Sequence, residues 1–256
     1  MKQLVYCELL KAKKSSGFRI VLGIVFLLAV AISLSSISFK SADVTERMDV
    51  ATSGIDAFFV ALRDLPIYMI IGVLLVSIVI CGDFENRLIQ AEISSGNSRT
   101  HVFLSKVIAV ALLFSIVSFF YPFTRLLVQG VFGSFGITLS LSVVLLLLLY
   151  YLTSVFIYLS LLSICFLLAF VIQKSTVVIA FGILLLVVGS SAISAFGVAF
   201  PKIGQILLYT PFGMNRALFD AGLNPMCMLT LIGLSLTYLA LFLGVTNILF
   251  QKAELK

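Results

Sequence analysis

One histidine, His101, four cysteines (Cys7, Cys81, Cys165 and Cys227) and eleven carboxylates are the groups in this 256-residue sequence that could attack, ligate or carry a proton. The cysteines stand singly, with no C-x-x-C and no metal-ligand spacing, and read as small apolar fillers. Zinc chemistry needs several histidine or carboxylate ligands, and serine hydrolysis needs a base beside its nucleophile; a lone His101 at the edge of an apolar run offers neither. No G-x-x-x-x-G-K-[ST] phosphate loop occurs, so ATP is not bound here in that mode. The expectation is a chain with no catalytic, cofactor or metal site of its own. Tyr150, Ser154 and Tyr158 recur every four residues and share a helix face. Two readings fit them: hydroxyls bonded to their own or a neighbouring helix, or an amphipathic lining on the path of a lipophilic substrate.

The elements that carry these groups are apolar. Residues are 61% hydrophobic and 11% charged, with mean hydropathy +1.22, far from a soluble domain with roughly a quarter of its residues charged. A helix rising about 1.5 Å per residue needs roughly 20 apolar residues to cross about 30 Å of hydrocarbon. Six windows meet or approach that length: about 20–39, 65–81, 107–124, 137–172, 175–200 and 226–250. Runs such as VVLLLLLYYL do not alternate, which excludes a transmembrane β-barrel. The first window could be a signal peptide, but its apolar run and basic leader are both long for one, and it is read as the first span. The fold expected is an all-α, six-span integral membrane protein with a single transmembrane domain over residues 1–256.

Lysine and arginine set the orientation. With the N-terminus inside, inner segments carry eleven basic residues and outer ones five, with Arg125 near the outer end of the third span. Both termini and the stretch 82–106 are then cytoplasmic. The net charge of +6 reflects this distribution and gives no reason to expect nucleic acid as a partner. Acids crowd the first outer loop, from Asp43 to Asp64, and none of the eleven falls inside an apolar window, which counts against proton-coupled secondary transport.

Between the second and third spans lies GDFENRLIQAEISSGNSRTHVFLSK, residues 82–106. Asp83 is a candidate N-cap, with Glu85 beside the helix start, where negative charge is favoured. Phe84, Leu88, Ile89, Ala91 and Ile93 then recur at helical spacing, with Glu85, Asn86, Gln90 and Glu92 largely elsewhere. Gly96 supplies a stop, and Asn97 or Ser98 can cap a helix running through Arg99 and Lys106 into the third span. On periodicity alone this is a short amphipathic helix lying at the membrane surface.

The pattern F-E-N-R-L-I-Q-A-E-I-S-S-G-N-S-R-x-x-x-x-L-S-K resembles the coupling segment of type-2 ABC exporter permeases, closest to the small permeases of lantibiotic and bacitracin-type self-protection. Glu85, Asn86, Ser95, Gly96, Ser98, Arg99, Ser105 and Lys106 match; Arg87 and Leu88 stand where the family has glycine and threonine. The six-span layout also fits. More weakly, FPKIGQILLYTPFGMNRALFDAGLNP, with Pro201, Pro211 and Pro225, resembles the family's outer re-entrant segment, here 201–225. The resemblance implies a multi-pass protein of the cell membrane that dimerises with a second copy or a similar permease. It implies a separate ATPase holding ATP and Mg, docked through Glu85, Asn86, Ile89, Glu92, Gly96, Ser98 and Arg99. It implies export of an amphiphilic peptide or lipid-like molecule, an antimicrobial peptide being the substrate class expected. In GSSAISAFG, Gly189, Ala192 or Ser194, and Gly197 lie near one face and allow close helix approach, and the resemblance places that packing at a dimer interface. The readings from other classes are a secondary transporter and a non-transporting membrane sensor or scaffold.

Overall fold

A computed structural model describes residues 2–40, 53–133, 135, 141–200, 206–220 and 225–252, with only the backbone described for 38–40, 192–199 and 220. Every described element is a helix: α1 (Lys2–Lys14), α2 (Ser16–Lys40), α3 (Gly54–Arg63), α4 (Leu65–Val76), α5 (Gly82–Glu85), α6 (Leu88–Ser94), α7 (Arg99–Phe132), α8 (Leu141–Ile172), α9 (Ser175–Ala199), α10 (Pro211–Asp220) and α11 (Pro225–Lys252). A π-helical turn, Ser77–Cys81, joins α4 to α5 in one rod. Five stretches are long and apolar enough to cross a membrane: Ser16–Ile37, Leu65–Glu85, Arg99–Phe132, Leu141–Ile172 and Pro225–Lys252; Ser175–Ser191 is a shorter apolar helix. The chain is a multi-pass membrane protein.

Two helices lie where the sequence reading placed none. The basic leader forms α1, broken from α2 at Ser15, and part of the first outer loop forms α3, capped by Ser53, whose Oγ accepts from the Asp56 N–H. The third span extends well beyond its apolar window on both sides, from the Ser98 cap to Phe132, and carries Pro122 within it. Proline has no N–H, so the Ser118 carbonyl one turn back loses its helical partner. Prolines also start helices: α10 begins on Pro211 and α11 on Pro225, where a missing donor costs nothing.

In lipid, apolar side chains gain little by leaving hydrocarbon for a helix interface, so close fit and polar contacts decide which helices meet. Gly72 shows the fit: a Cβ there would lie 2.3 Å from a methyl of Leu162, so the Leu162 side chain of α8 packs directly onto the bare backbone of α4. At one end of the bundle Phe84, Phe103, Phe170 and Phe250 pack ring to ring and fasten α5, α7, α8 and α11 together. The ionic contacts lie at the ends of the spans.

Candidate functional site

Lys106, on the inward face of α7, is completely buried, and three carboxylates from three other elements converge on it. Its Nζ donates to Glu8 Oε1 of α1 at 2.9 Å, to Asp83 Oδ2 of α5, and to Glu92 Oε1 of α6 at 3.4 Å. An ammonium has three protons, and each finds an acceptor. Burying a lysine costs several kcal/mol unless it is paired and fully hydrogen-bonded, and this arrangement meets both conditions. Asp83 accepts a second cation, Lys11, on its other oxygen. Oxygens of Glu8, Asp83 and Glu92 lie within 4.8 Å of one another, close enough to hold a metal ion, but here the Lys106 ammonium supplies the cation.

The cluster holds three carboxylates against two ammoniums, so one carboxylate carries uncompensated charge. Glu92 is that one by position: it is half-buried, its Oε2 has no hydrogen-bond partner, and burial, with Glu8 adding to it, raises its pKa above the usual range despite the pull of Lys106. A carboxyl held at a raised pKa in the fold favours the folded state while protonated, and that contribution is lost as pH rises through the raised value. Asp64 is raised too, by burial that outweighs Tyr121 and Arg125. Through these two groups stability in detergent should fall as pH climbs above the ordinary carboxylate range, whereas Glu85, held low by Ser175, acts in the opposite sense below that range. Glu92→Gln should remove part of that slope, read as the thermal midpoint between about pH 4 and 7. An unchanged slope would separate Glu92 from the titration.

A second cluster closes the other end. Asp64, between α3 and α4, accepts from the Tyr121 hydroxyl and, at 3.0 Å, from Arg125 Nη1, and the Arg125 guanidinium lies 5.9 Å from the Tyr121 ring centre. Asp64 and Asp83 stand 19 residues apart on one rod, and Lys106 and Arg125 19 apart on the other, so the same antiparallel register pairs both ends. Nineteen residues rise about 28 Å, close to the roughly 30 Å of a bilayer's hydrocarbon core. The two ion pairs are spaced as the two faces of such a core would be.

The hydroxyl ladder lies near the Asp64 end. Tyr158 donates to the Leu62 carbonyl at 2.6 Å and reaches Asn215 Oδ1 at 3.2 Å, while Asn215 Nδ2 donates to the Arg63 carbonyl at 3.3 Å. Tyr150 donates to the Leu218 carbonyl at 2.8 Å. These acceptors are last-turn carbonyls of α3 and α10, which have no helical donor of their own. Ser154 donates back to the Tyr150 carbonyl of its own helix. Tyr68, stacked on Tyr158 with ring centres 4.4 Å apart, keeps a buried hydroxyl with no partner.

Residues expected to couple to a partner divide between two directions. Ile89 is buried and Glu92 turns to Lys106. Glu85 accepts from the Ser175 N–H at 2.8 Å and from its hydroxyl, capping α9. Arg99 donates to the Gln251 carbonyl at 2.9 Å, closing the last turn of α11. Asn86 bonds the Gly82 carbonyl, and Ser98 rather than Asn97 caps α7, its Oγ accepting from the His101 N–H. Asp83 is not an N-cap, because its carboxylate is drawn inward by Lys106 and Lys11. What α6 leaves exposed is Leu88, Ala91, Ser94 and Ser95, with Arg87 before them. Arg87 has φ 56°, and Gly96, at the elbow into α7, has φ 96°. A left-handed residue costs an arginine about 1–2 kcal/mol that glycine escapes. Gly189 on α9 meets Phe212 of α10 within the same chain, where a Cβ would lie 2.5 Å from the ring. The side chain of Ala192 and the surroundings of Gly197 fall outside the described ones, as do residues 201–205 and 221–224 of the outer segment.

Glu8, Lys11 and the pairing partners of Asp64, Asp83 and Lys106 were missed from sequence; the equal 19-residue spacings were the available signal. Helical spans and two end clusters define a polytopic membrane protein with a polar cluster toward each end of its bundle. Among known proteins, no family model matches the chain and no curated protein matches it.

Proposed function

We propose that this chain is the permease subunit of an ATP-driven exporter, with Ser175–Ala199 as its sixth span and the Lys106 end facing the cytoplasm. The observation that carries the reading is the two-sided character of α6. Its inner side is fastened by Ile89 and by Glu92 to Lys106, and through Lys106 to α1 and α5; its outer side, Leu88, Ala91 and Ser95, is open. A helix held so is suited to receive a push from a docked protein and pass it to the span that begins at Arg99. The left-handed Arg87 adds support, since it adopts the conformation that the family's glycine at this position takes freely.

In this reading the partner ATPase supplies ATP and Mg, two permeases pair, and an amphiphilic substrate, an antimicrobial peptide by resemblance, leaves through the bundle. Proton-coupled secondary transport is disfavoured because the buried carboxylates near the spans are tied to lysine or arginine at the membrane faces. Purified from its native membrane through a tag on this chain, the complex should hydrolyse ATP in a vanadate-sensitive manner. A preparation that contains no second polypeptide and no ATPase activity would favour the sensor or scaffold reading.

A further inference from the structure

The first helix crosses the end of the bundle, because its residues meet different spans at one depth. Its start, Lys2 to Leu9, forms a groove with Ile108 of α7; Glu8, in its middle, meets Lys106; Lys11 meets Asp83; and Ala12 and Ser15 line a cleft with Ile78 and Val79 of the second span. In the antiparallel register of the two spans Ile108 and Ile78 stand just inside the Lys106–Asp83 level. Helix α1 therefore lies across the spans at the membrane face.

Its charge is one-sided. The single acid of α1, Glu8, is buried and neutralised by Lys106, while Lys2, Lys13 and Lys14 are exposed and make no ion pair among the described residues. Lys2, Tyr6, Leu9 and Lys13 share a helix face, so an apolar stripe is flanked by a lysine at each end, the two positions about 16 Å apart along the axis. The stripe lines an open groove of about 430 Å³ whose far wall is Ile108. From Ile108 an exposed apolar ridge, Leu112 and Ile116, continues down α7 into the depth of the bilayer.

We propose that this groove is a binding site for one anionic phospholipid, its phosphate held by Lys2, which lines the groove, its headgroup drawn in by the charge of Lys13 beyond the other end of the stripe, and an acyl chain laid along Tyr6, Leu9, Ile108 and Leu112. Cations without counter-charge at the headgroup level and an apolar track leading inward are the two features that such a lipid matches. The inference rests on the membrane reading alone and is independent of any ATPase.

The full chain, reconstituted in nanodiscs of equal phosphatidylglycerol and phosphatidylcholine and released into native mass spectrometry, should retain phosphatidylglycerol preferentially. Each lysine should contribute roughly fivefold to that ratio, so Lys2→Gln with Lys13→Gln should abolish the preference. Lys2→Arg with Lys13→Arg should keep it, as should Lys174→Gln with Lys252→Gln, which removes two cations elsewhere at the same end of the bundle. The proposal is overturned by equal retention of the two lipids by the parent protein. It is overturned equally by a preference that survives the glutamine pair at Lys2 and Lys13, or by a dimer that buries α1 whichever lipid is present.

Discussion

Replacing Lys106 by Met, which keeps the length of the side chain and removes its charge, is expected to destabilise the folded protein by about 3–5 kcal/mol. The ammonium is the shared partner of Glu8, Asp83 and Glu92, and without it Glu8 and Asp83 remain buried as carboxylates with only Lys11, on the exposed side, to answer them. The loss is mostly the penalty of stranded charge, since buried ion pairs replaced as a whole by neutral groups are often close to neutral in stability. Adding Glu8→Gln and Asp83→Asn to Lys106→Met should therefore recover a large part of the loss. The thermal midpoint of the detergent-purified protein reads both effects. A single variant as stable as its parent would mean that the cluster is hydrated and weak.

The same cluster shows what could be read from sequence. Spans are set by composition, so five of the six windows coincide with helices long and apolar enough to cross, and the elbow at Gly96 was legible because glycine there needs no tertiary contact to explain it. The direction in which a charge points was not. Asp83 sits one residue inside a helix start, where sequence favours a cap, and only the approach of α7 and α1 turns it inward. Helix α1 was hidden because its basic residues lower its hydropathy; its helical course becomes apparent only when Glu8 is seen to be spent on Lys106. For Tyr150 and Tyr158 the acceptors lie 68 and 96 residues away, on helix ends that no local pattern identifies. The equal 19-residue spacings of the acids and bases were present in the sequence, but they carry meaning only once two spans are known to run antiparallel.

The open side of α6 is where the functional reading stands or falls. Leu88 and Ala91 are one turn apart on the exposed face, and Arg99, which sequence alone would make a docking residue, is occupied at the end of α11. The desolvated centre of an interface carries most of its energy, and an unpaired charge buried there costs about 2 kcal/mol or more, whereas rim charges cost little. Leu88→Glu with Ala91→Glu should thus abolish docking while leaving Ile89, Glu92 and Lys106 intact, and the thermal midpoint of the permease should stay near that of the parent. The most direct measurement is the amount of ATPase, per permease, recovered from the membrane through a tag on this chain. The account predicts near-complete loss of the ATPase from the double variant with normal amounts of folded permease; an ATPase yield unchanged from the parent would contradict it.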